Sequence, residues 1–268
     1  MRRALIGYTG FVGSNLKAAG SFTDFYNSRN FRDMAGESYD EVVCAGVSAV
    51  KWLANKEPER DWQEISALLD VLSQITARRF TLISTIDVYP DPSRSDDERT
   101  TPSAEDGQPY GRHRLKIERF VEERFDSAFV LRLPALFGPG LKKNVIFDLL
   151  TGNQTEKINP ATVFQWYPVH RLAADITAAQ SADLKLVNLF PEPLETRRLL
   201  ELFPVAQVAP ANEPAPRYAL QTRYAELFGG IGHYIMTAED VLNELSDFVA
   251  AARANPERML AGNRGQAR

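Results

Sequence analysis

Hydrophobic residues fall into short runs separated by stretches of helical spacing. Ala4–Gly7 is a brief apolar run, followed by a glycine-rich turn and a helix predicted over Ser14–Ala19, which Gly20 ends. Phe22–Asn27 and Glu41–Ala45 read as second and third strands. Trp62, Ile65, Leu68, Leu69, Leu72 and Ile75 recur every three or four residues, the signature of a helix with one buried stripe. Phe80–Thr85 predicts a fourth strand, Gly111–Arg124 a charged helix and Phe129–Leu133 a fifth strand. After Pro134 the rhythm loosens until about Pro168. Arg171–Ala179 then reads as helix, Leu184–Leu189 as strand, and Arg197–Phe203 as a short helix inside a Pro-rich segment. Thr237 and Asp240 form a capping pattern opening a last helix, with Val241, Leu242, Leu245, Phe248 and Val249 on its buried face. Strands separated by helices imply parallel pairing with right-handed crossovers, hence a doubly wound α/β sheet.

Composition narrows the chemistry. The chain has 268 residues, 44% hydrophobic and 25% charged, with a formal net charge of -4. An acidic chain with no basic block offers no electrostatic footprint for nucleic acid. One cysteine, Cys44, excludes an intrachain disulfide and a cysteine cluster for zinc or iron–sulfur. The three histidines, His113, His170 and His233, have no metal-site spacing, so no metal is expected. Glycines interrupt the first apolar run before it reaches signal-peptide length, and no stretch has the length of a membrane span. A cytoplasmic protein with no membrane contact is expected.

Gly7-Tyr8-Thr9-Gly10-Phe11-Val12-Gly13 lies between the first strand and first helix, the context in which such a turn holds a dinucleotide. The glycines serve the tight turn, the approach of backbone to a pyrophosphate and close helix–strand packing. The helix N-terminus supplies free N–H groups and a positive dipole end. NAD-binding units place an acid about 20 residues further on to accept from the ribose 2′-OH. Here the region reads Asn27-Ser28-Arg29-Asn30-Phe31-Arg32, with no acid. A hydroxyl and guanidinium groups suit a 2′-phosphate, so NADP is favoured, with NAD as the alternative. The 31 cations include 23 Arg and only 8 Lys, so one loop arginine is a weaker signal than the missing acid.

Ser84-Thr85-Ile86-Asp87-Val88-Tyr89 closes the fourth strand, at the edge where open α/β sheets bind ligands. Tyr110-Gly111-Arg112-His113-Arg114-Leu115-Lys116-Ile117-Glu118 opens the next helix. A strand-end hydroxyl and a phenol can converge on one substrate oxygen. A phenol with an ordinary pKa of about 10 needs a neighbouring cation to act as base at neutral pH. On the same helix face that cation is Arg114, at i+4, whereas Lys116 at i+6 faces elsewhere.

With these motifs in order, the chain resembles an extended short-chain dehydrogenase/reductase of the NAD-dependent epimerase/dehydratase family. The resemblance rests on the GxxGFxG turn, the S-[ST]-x-x-V-Y strand end, YGRxxLxxE and L-R-L-P-x-L-F-G-P-G, within roughly the first 140 residues. It implies a Rossmann-type NAD(P)-binding domain from residues 1–138 and 167–190, and a small C-terminal substrate lobe from 139–166 and 191–236. A C-terminal helix at 237–254 and a flexible tail at 255–268 complete this division. By the same resemblance Thr85 orients the substrate oxygen, Tyr110 is the general acid/base, Pro134 lies near the nicotinamide, and a homodimer forms through helices including Gly111–Arg124. The substrate implied is a small molecule, a nucleotide-activated sugar or similar polyol.

Two departures matter. The family pattern YxxxK has lysine where this chain has Arg114, which keeps positive charge but does not readily deprotonate. That leaves a working variant, a slowed enzyme or a cofactor-binding regulatory protein without turnover. The sugar-nucleotide dehydratases of the family carry an acidic or Ser residue and then Glu after the active Thr. Here Ile86 and Asp87 stand there, so dehydration is disfavoured although Asp87 has a carboxylate to offer. Lys143, Asn144 and Arg217 are candidates for a substrate diphosphate, each with an ordinary surface role as the alternative. Pro90–Pro109 reads either as a lid or as a surface excursion. Gln165-Trp166-Tyr167 reads more readily as packing than as a base-stacking platform.

Overall fold

The computed structural model describes residues 1–203, 207–212 and 214–261. In chain order the first half runs β1 (Arg3–Ile6), α1 (Phe11–Ala19), β2 (Asp24–Tyr26), β3 (Ser38–Cys44), α2 (Lys51–Lys56), α3 (Pro58–Leu72), β4 (Thr76–Thr85), α4 (Pro109–Arg124) and β5 (Ala128–Leu133). There follow β6 (Ala135–Phe137), α5 (Val145–Thr151), β7 (Val163–Phe164), β8 (Trp166–Pro168), α6 (Leu172–Ser181), β9 (Leu186–Asn188), β10 (Leu194–Glu195), α7 (Thr196–Leu200), α8 (Ala238–Ala254) and α9 (Pro256–Met259). Six parallel strands form the central sheet in the order β2-β1-β3-β4-β5-β9. The chain leaves β1 for the edge strand β2 and then crosses back to β3. The order therefore reverses beside β1, where α/β sheets open a ligand crevice.

Strand alternation sorts side chains onto the two faces. Ala4, Ile6, Val42, Cys44, Phe80, Leu82 and Val130 pack with Ile65, Leu68 and Leu72 of α3 and Ile117 and Val121 of α4. Leu5, Val43, Phe129 and Leu131 belong to a second core with Leu16 of α1, Ile176 of α6 and Leu245 of α8. Cys44 is a buried free thiol in the first of these. With both faces covered, the strands read as apolar runs, which is why the sequence showed them.

Differences from the sequence expectations have local causes. β3 and β4 begin earlier than their apolar runs, with Ser38 paired to Thr76 and Glu41 to Arg79. That polar end of the ladder carries no hydrophobic signal. α3 stops at Leu72, and Ile75 is buried from the connection beyond it, so the stripe overran the helix by a turn. α4 starts at Pro109, whose missing N–H costs nothing at a first helical position. The capping box of α8 forms as read, with Thr237 and Asp240 exchanging bonds. Asn255, where fraying was expected, caps α9, and Met259 carbonyl accepts from Gly140 and Leu141 N–H. Residues 262–268 of the expected tail lie outside the described residues.

Candidate active site

The glycine turn is sterically committed. Gly7 has φ +85°, and a Cβ there would lie 2.3 Å from Ala45 O. At Gly13, inside α1, a Cβ would sit 2.0 Å from Gly7 O. Gly10 caps α1 with no side-chain hydrogen bond, leaving the helix's first N–H groups to an incoming anion. Phe11 and Val12 are half-buried at the start of α1, and Asn15 Nδ2 donates to Pro139 O, tying this helix to the loop after β6. Asn27 Oδ1 accepts from Arg29 N at 2.8 Å and its Nδ2 donates to Tyr8 Oη, so the turn after β2 is held while Ser28 and Arg29 stay exposed. Pro134 is buried at the carboxyl end of β5.

Three segments bring the catalytic candidates together. Thr85 ends β4, and its Oγ1 accepts from Asp87 N at 3.2 Å, turning Ile86–Val88 into a short 3-10 helix. α4 then packs onto that turn so closely that a Cβ on Gly111 would lie 1.9 Å from Asp87 O. This contact explains the glycine after Tyr110. Asn55 of α2 accepts from Tyr110 N at 2.9 Å, fixing the start of α4. Tyr110 is buried and its phenol faces the Thr85 hydroxyl. Burial pushes the phenol above its ordinary pKa, against the pull of Arg114, Thr85 and Lys51 and with a push from Asp87. At neutral pH it is a proton donor.

Arg114 meets Tyr110 as the i+4 spacing required, with its guanidinium carbon 3.9 Å from the ring centroid. Its other contacts were not legible from spacing. Nη1 and Nη2 donate to Asp61 Oδ2 and Oδ1 at 2.6 and 2.9 Å, and Nη2 also donates to Ser48 O. Asp61 accepts a third bond, from His113 Nδ1 at 2.7 Å. Burial raises the Asp61 carboxyl, but the bonds from Arg114 and His113 outweigh it and hold the group below the usual carboxylate range. Among the polar atoms of Arg114, buried Nε alone has no partner in the protein. Lys116 lies over the Trp62 ring, away from the site as its spacing required.

Lys51 and Tyr218 were missed by the sequence reading. Lys51 opens α2, and its Nζ sits 2.6 Å from Asp87 Oδ1. Tyr218 faces both, and burial raises its phenol. Neither stands in a recognisable pattern, and only folding brings residues 51, 87 and 218 together. Lys143 donates to Ala49 O at 2.6 Å, beside the same connection between β3 and α2, and burial lowers its ammonium pKa. Asn144 is spent on structure: Oδ1 caps α5 by accepting from Ile146 and Phe147 N–H, and Nδ2 donates to Leu136 O. Arg217 is exposed and bridges Val163 through its backbone. Trp166 and Tyr167 are fully buried in the core, as packing residues. His170 is exposed.

The segment between the 3-10 turn and α4 is strapped down. Glu98 accepts from Asn188 N, Thr222 Oγ1 and Arg223 N, and Pro92 O and Asp96 O accept from Ala219 and Gln221 N–H. Beneath it Glu118 forms a bidentate pair with Arg132 and accepts from Ser84 Oγ, while Arg132 reaches Tyr89 Oη at 2.8 Å. The sequence motifs containing Ser84, Tyr89, Glu118 and Arg132 thus meet in one buried network. Among the described residues no helix is long and apolar enough to cross a membrane, and no group of three or more His, Cys, Asp or Glu could hold a metal.

The model of the NAD dependent epimerase/dehydratase family matches residues 4–166, and the chain belongs to that family. No curated protein matches the sequence. Among solved structures, a dTDP-4-dehydrorhamnose reductase from Clostridium acetobutylicum superposes with a TM-score of 0.70 at 14% identity, over 93% of this chain and 100% of its own. An RMD protein from Pseudomonas aeruginosa complexed with NADPH gives 0.70 at 19% identity, over 94% and 99%. A UDP-glucose 4-epimerase from Thermotoga maritima, with UDP-glucose, gives 0.69 at 16%, over 94% and 100%. These likenesses establish the fold.

Proposed function

We propose that the protein is an NADP-dependent reductase or epimerase of a nucleotide-activated sugar or a similar hydroxyl or keto substrate, with Tyr110 as general acid/base. The observation that carries the reading is the convergence of Thr85, Tyr110 and Arg114 at the carboxyl edge of the sheet, with only β3 between β4 and the strand that leads into the glycine turn. The residues present fit a dinucleotide: no side chain can fill the turn at Gly7 or Gly13, and α1 is left without a side-chain cap. Gly7, Gly10, Phe11, Val12 and Gly13 would hold the pyrophosphate, Asn27, Ser28 and Arg29 the adenosine end, and Pro134 would line the nicotinamide end. When bound, the cofactor supplies or accepts hydride. NADPH in the Pseudomonas neighbour and the sugar-nucleotide names of the others support this direction.

The chain's own part is to hold the substrate oxygen between Thr85 Oγ1 and Tyr110 Oη and to move one proton. With its phenol protonated, Tyr110 donates to a carbonyl oxygen as that oxygen becomes an alcohol. Arg114 stacks under the ring and holds its orientation. Dehydration is the weaker reading: Ile86 is buried, and Asp87 is ion-paired with Lys51. One observation favours a second reading, a cofactor-binding protein without turnover: both terminal nitrogens of Arg114 are already bonded within the protein. Tyr110→Phe separates the two. It should leave NADPH binding within about twofold, by calorimetry, and abolish NADPH oxidation with dTDP-4-dehydrorhamnose or a panel of keto sugar nucleotides. Unchanged turnover would defeat the proposed role. A cytoplasmic homodimer, with α4 at the interface, belongs to the same proposal, and Lys143 and Arg217 remain its candidates for the diphosphate.

A further inference from the structure

We infer that Lys51 and Asp87 form, with Thr85, the route by which Tyr110 regains its proton between turnovers. This rests on the reductase or epimerase reading above and assigns the duty that residue 114 cannot perform here. Tyr110 is only 8% exposed, so a phenol that has given up its proton has little contact with water. A guanidinium does not release a proton at neutral pH, and that of Arg114 is clamped by Asp61 and Ser48. On the other side of the phenol a line of polar groups leads outward. Thr85 Oγ1 faces the phenol and donates to Asp87 Oδ2 at 3.3 Å, and Asp87 Oδ1 holds Lys51 Nζ at 2.6 Å. The Lys51 side chain is 44% exposed and ends the route in solvent. Tyr218, facing both Lys51 and Asp87, places a hydroxyl beside the last two members.

The transfers balance. In the reducing direction the Tyr110 O–H bond breaks as the substrate oxygen takes the proton, leaving a phenolate. Thr85 gives its hydroxyl proton to the phenolate. Asp87 takes a proton from the Lys51 ammonium at Oδ1, turns about its Cβ–Cγ bond and passes it to Thr85 Oγ1. Lys51, briefly a neutral amine, takes a proton from water. The net change is one proton moved from solvent to Tyr110; alcohol oxidation runs the same steps outward. The charged and titratable groups around the phenol are Arg114 and Asp61 on one side and Lys51, Asp87 and Tyr218 on the other.

Lys51→Arg tests the route, because arginine keeps the ion pair with Asp87 but withholds its proton. With NADPH and dTDP-4-dehydrorhamnose, the variant should oxidise one NADPH per site at the wild-type rate, using the proton already on Tyr110. The steady state should then be slower by at least about tenfold, with the cofactor KM unchanged. Asp87→Asn should behave alike. A wild-type steady state in Lys51→Arg overturns the inference. A second arm needs no substrate. Tyrosinate absorbance, with the Tyr110→Phe titration subtracted, should move to higher pH in Lys51→Met and to lower pH in Asp87→Asn. If neither moves, the pair is unconnected to Tyr110 and the route is refuted. If both move while wild type reduces nothing in the panel, the coupling of the pair to Tyr110 stands and the substrate reading fails.

Discussion

Replacing Asp61 by asparagine removes the carboxylate charge paired with Arg114 and leaves a guanidinium enclosed by protein. The two side chains are only 5% and 6% exposed, so water cannot take the place of the carboxylate. Breaking one partner out of a buried pair costs about 3–5 kcal/mol. Arg114 keeps the carbonyls of Ser48 and Tyr110 as acceptors, which places the expectation near the lower end, about 3 kcal/mol. At about 2–4 °C per kcal/mol, the melting temperature should fall by about 6–12 °C. The assay is urea and thermal unfolding in a double-mutant cycle with Arg114→Met. Without the cation, Asp61→Asn should cost less than about 1 kcal/mol, because the remaining bond to His113 is a single contact. Acid supplies an independent sign. The folded carboxyl lies below its ordinary value, so its contribution is complete above about pH 4 and is lost as pH falls through the folded value. The gap between wild type and Asp61→Asn should therefore narrow in acid. Equal costs of Asp61→Asn with and without Arg114 would refute the reasoning.

Two other outcomes follow from contacts at or around the site. Gly111→Ala sets a methyl group 1.9 Å from the Asp87 carbonyl, and both atoms are anchored to backbone. It should cost about 1–3 kcal/mol by chemical denaturation and cut turnover further still, because α4 carries Tyr110 away from Thr85. In alkali, burial raises the phenols of Tyr39, Tyr89, Tyr110, Tyr167 and Tyr218 and pushes the Cys44 thiol up to about 11. The folded chain holds protons there that the unfolded chain releases. Stability should be complete below the ordinary thiol value of about 8.5 and decline through about pH 10 and above; a urea midpoint that stays flat from pH 8 to 10.5 would contradict this.

The sheet was legible because its strands are apolar on both faces, and the glycine turn because its geometry admits no other residue at Gly7 and Gly13. Tyr110 and Arg114 were legible because helix periodicity brings i and i+4 together. Asp61 was not, since it belongs to a different helix and its pairing with Arg114 spans 53 residues. Lys51 and Tyr218 escaped for the same reason: both are far from Asp87 in sequence and meet it only in the folded chain. Asn144 shows the opposite error, a plausible ligand by composition whose amide is consumed by capping a helix.

The Glu98 carboxylate joins three parts of the chain, the segment after β4, the end of the sheet at β9 and the stretch at Thr222 and Arg223. Such a strap makes the segment between β4 and α4 part of the native fold rather than a flap that a ligand must order. The entropy of holding that segment in place is lost once, on folding, instead of at each binding event. The segment is in this sense preorganised: no binding free energy would be drawn down to arrange it.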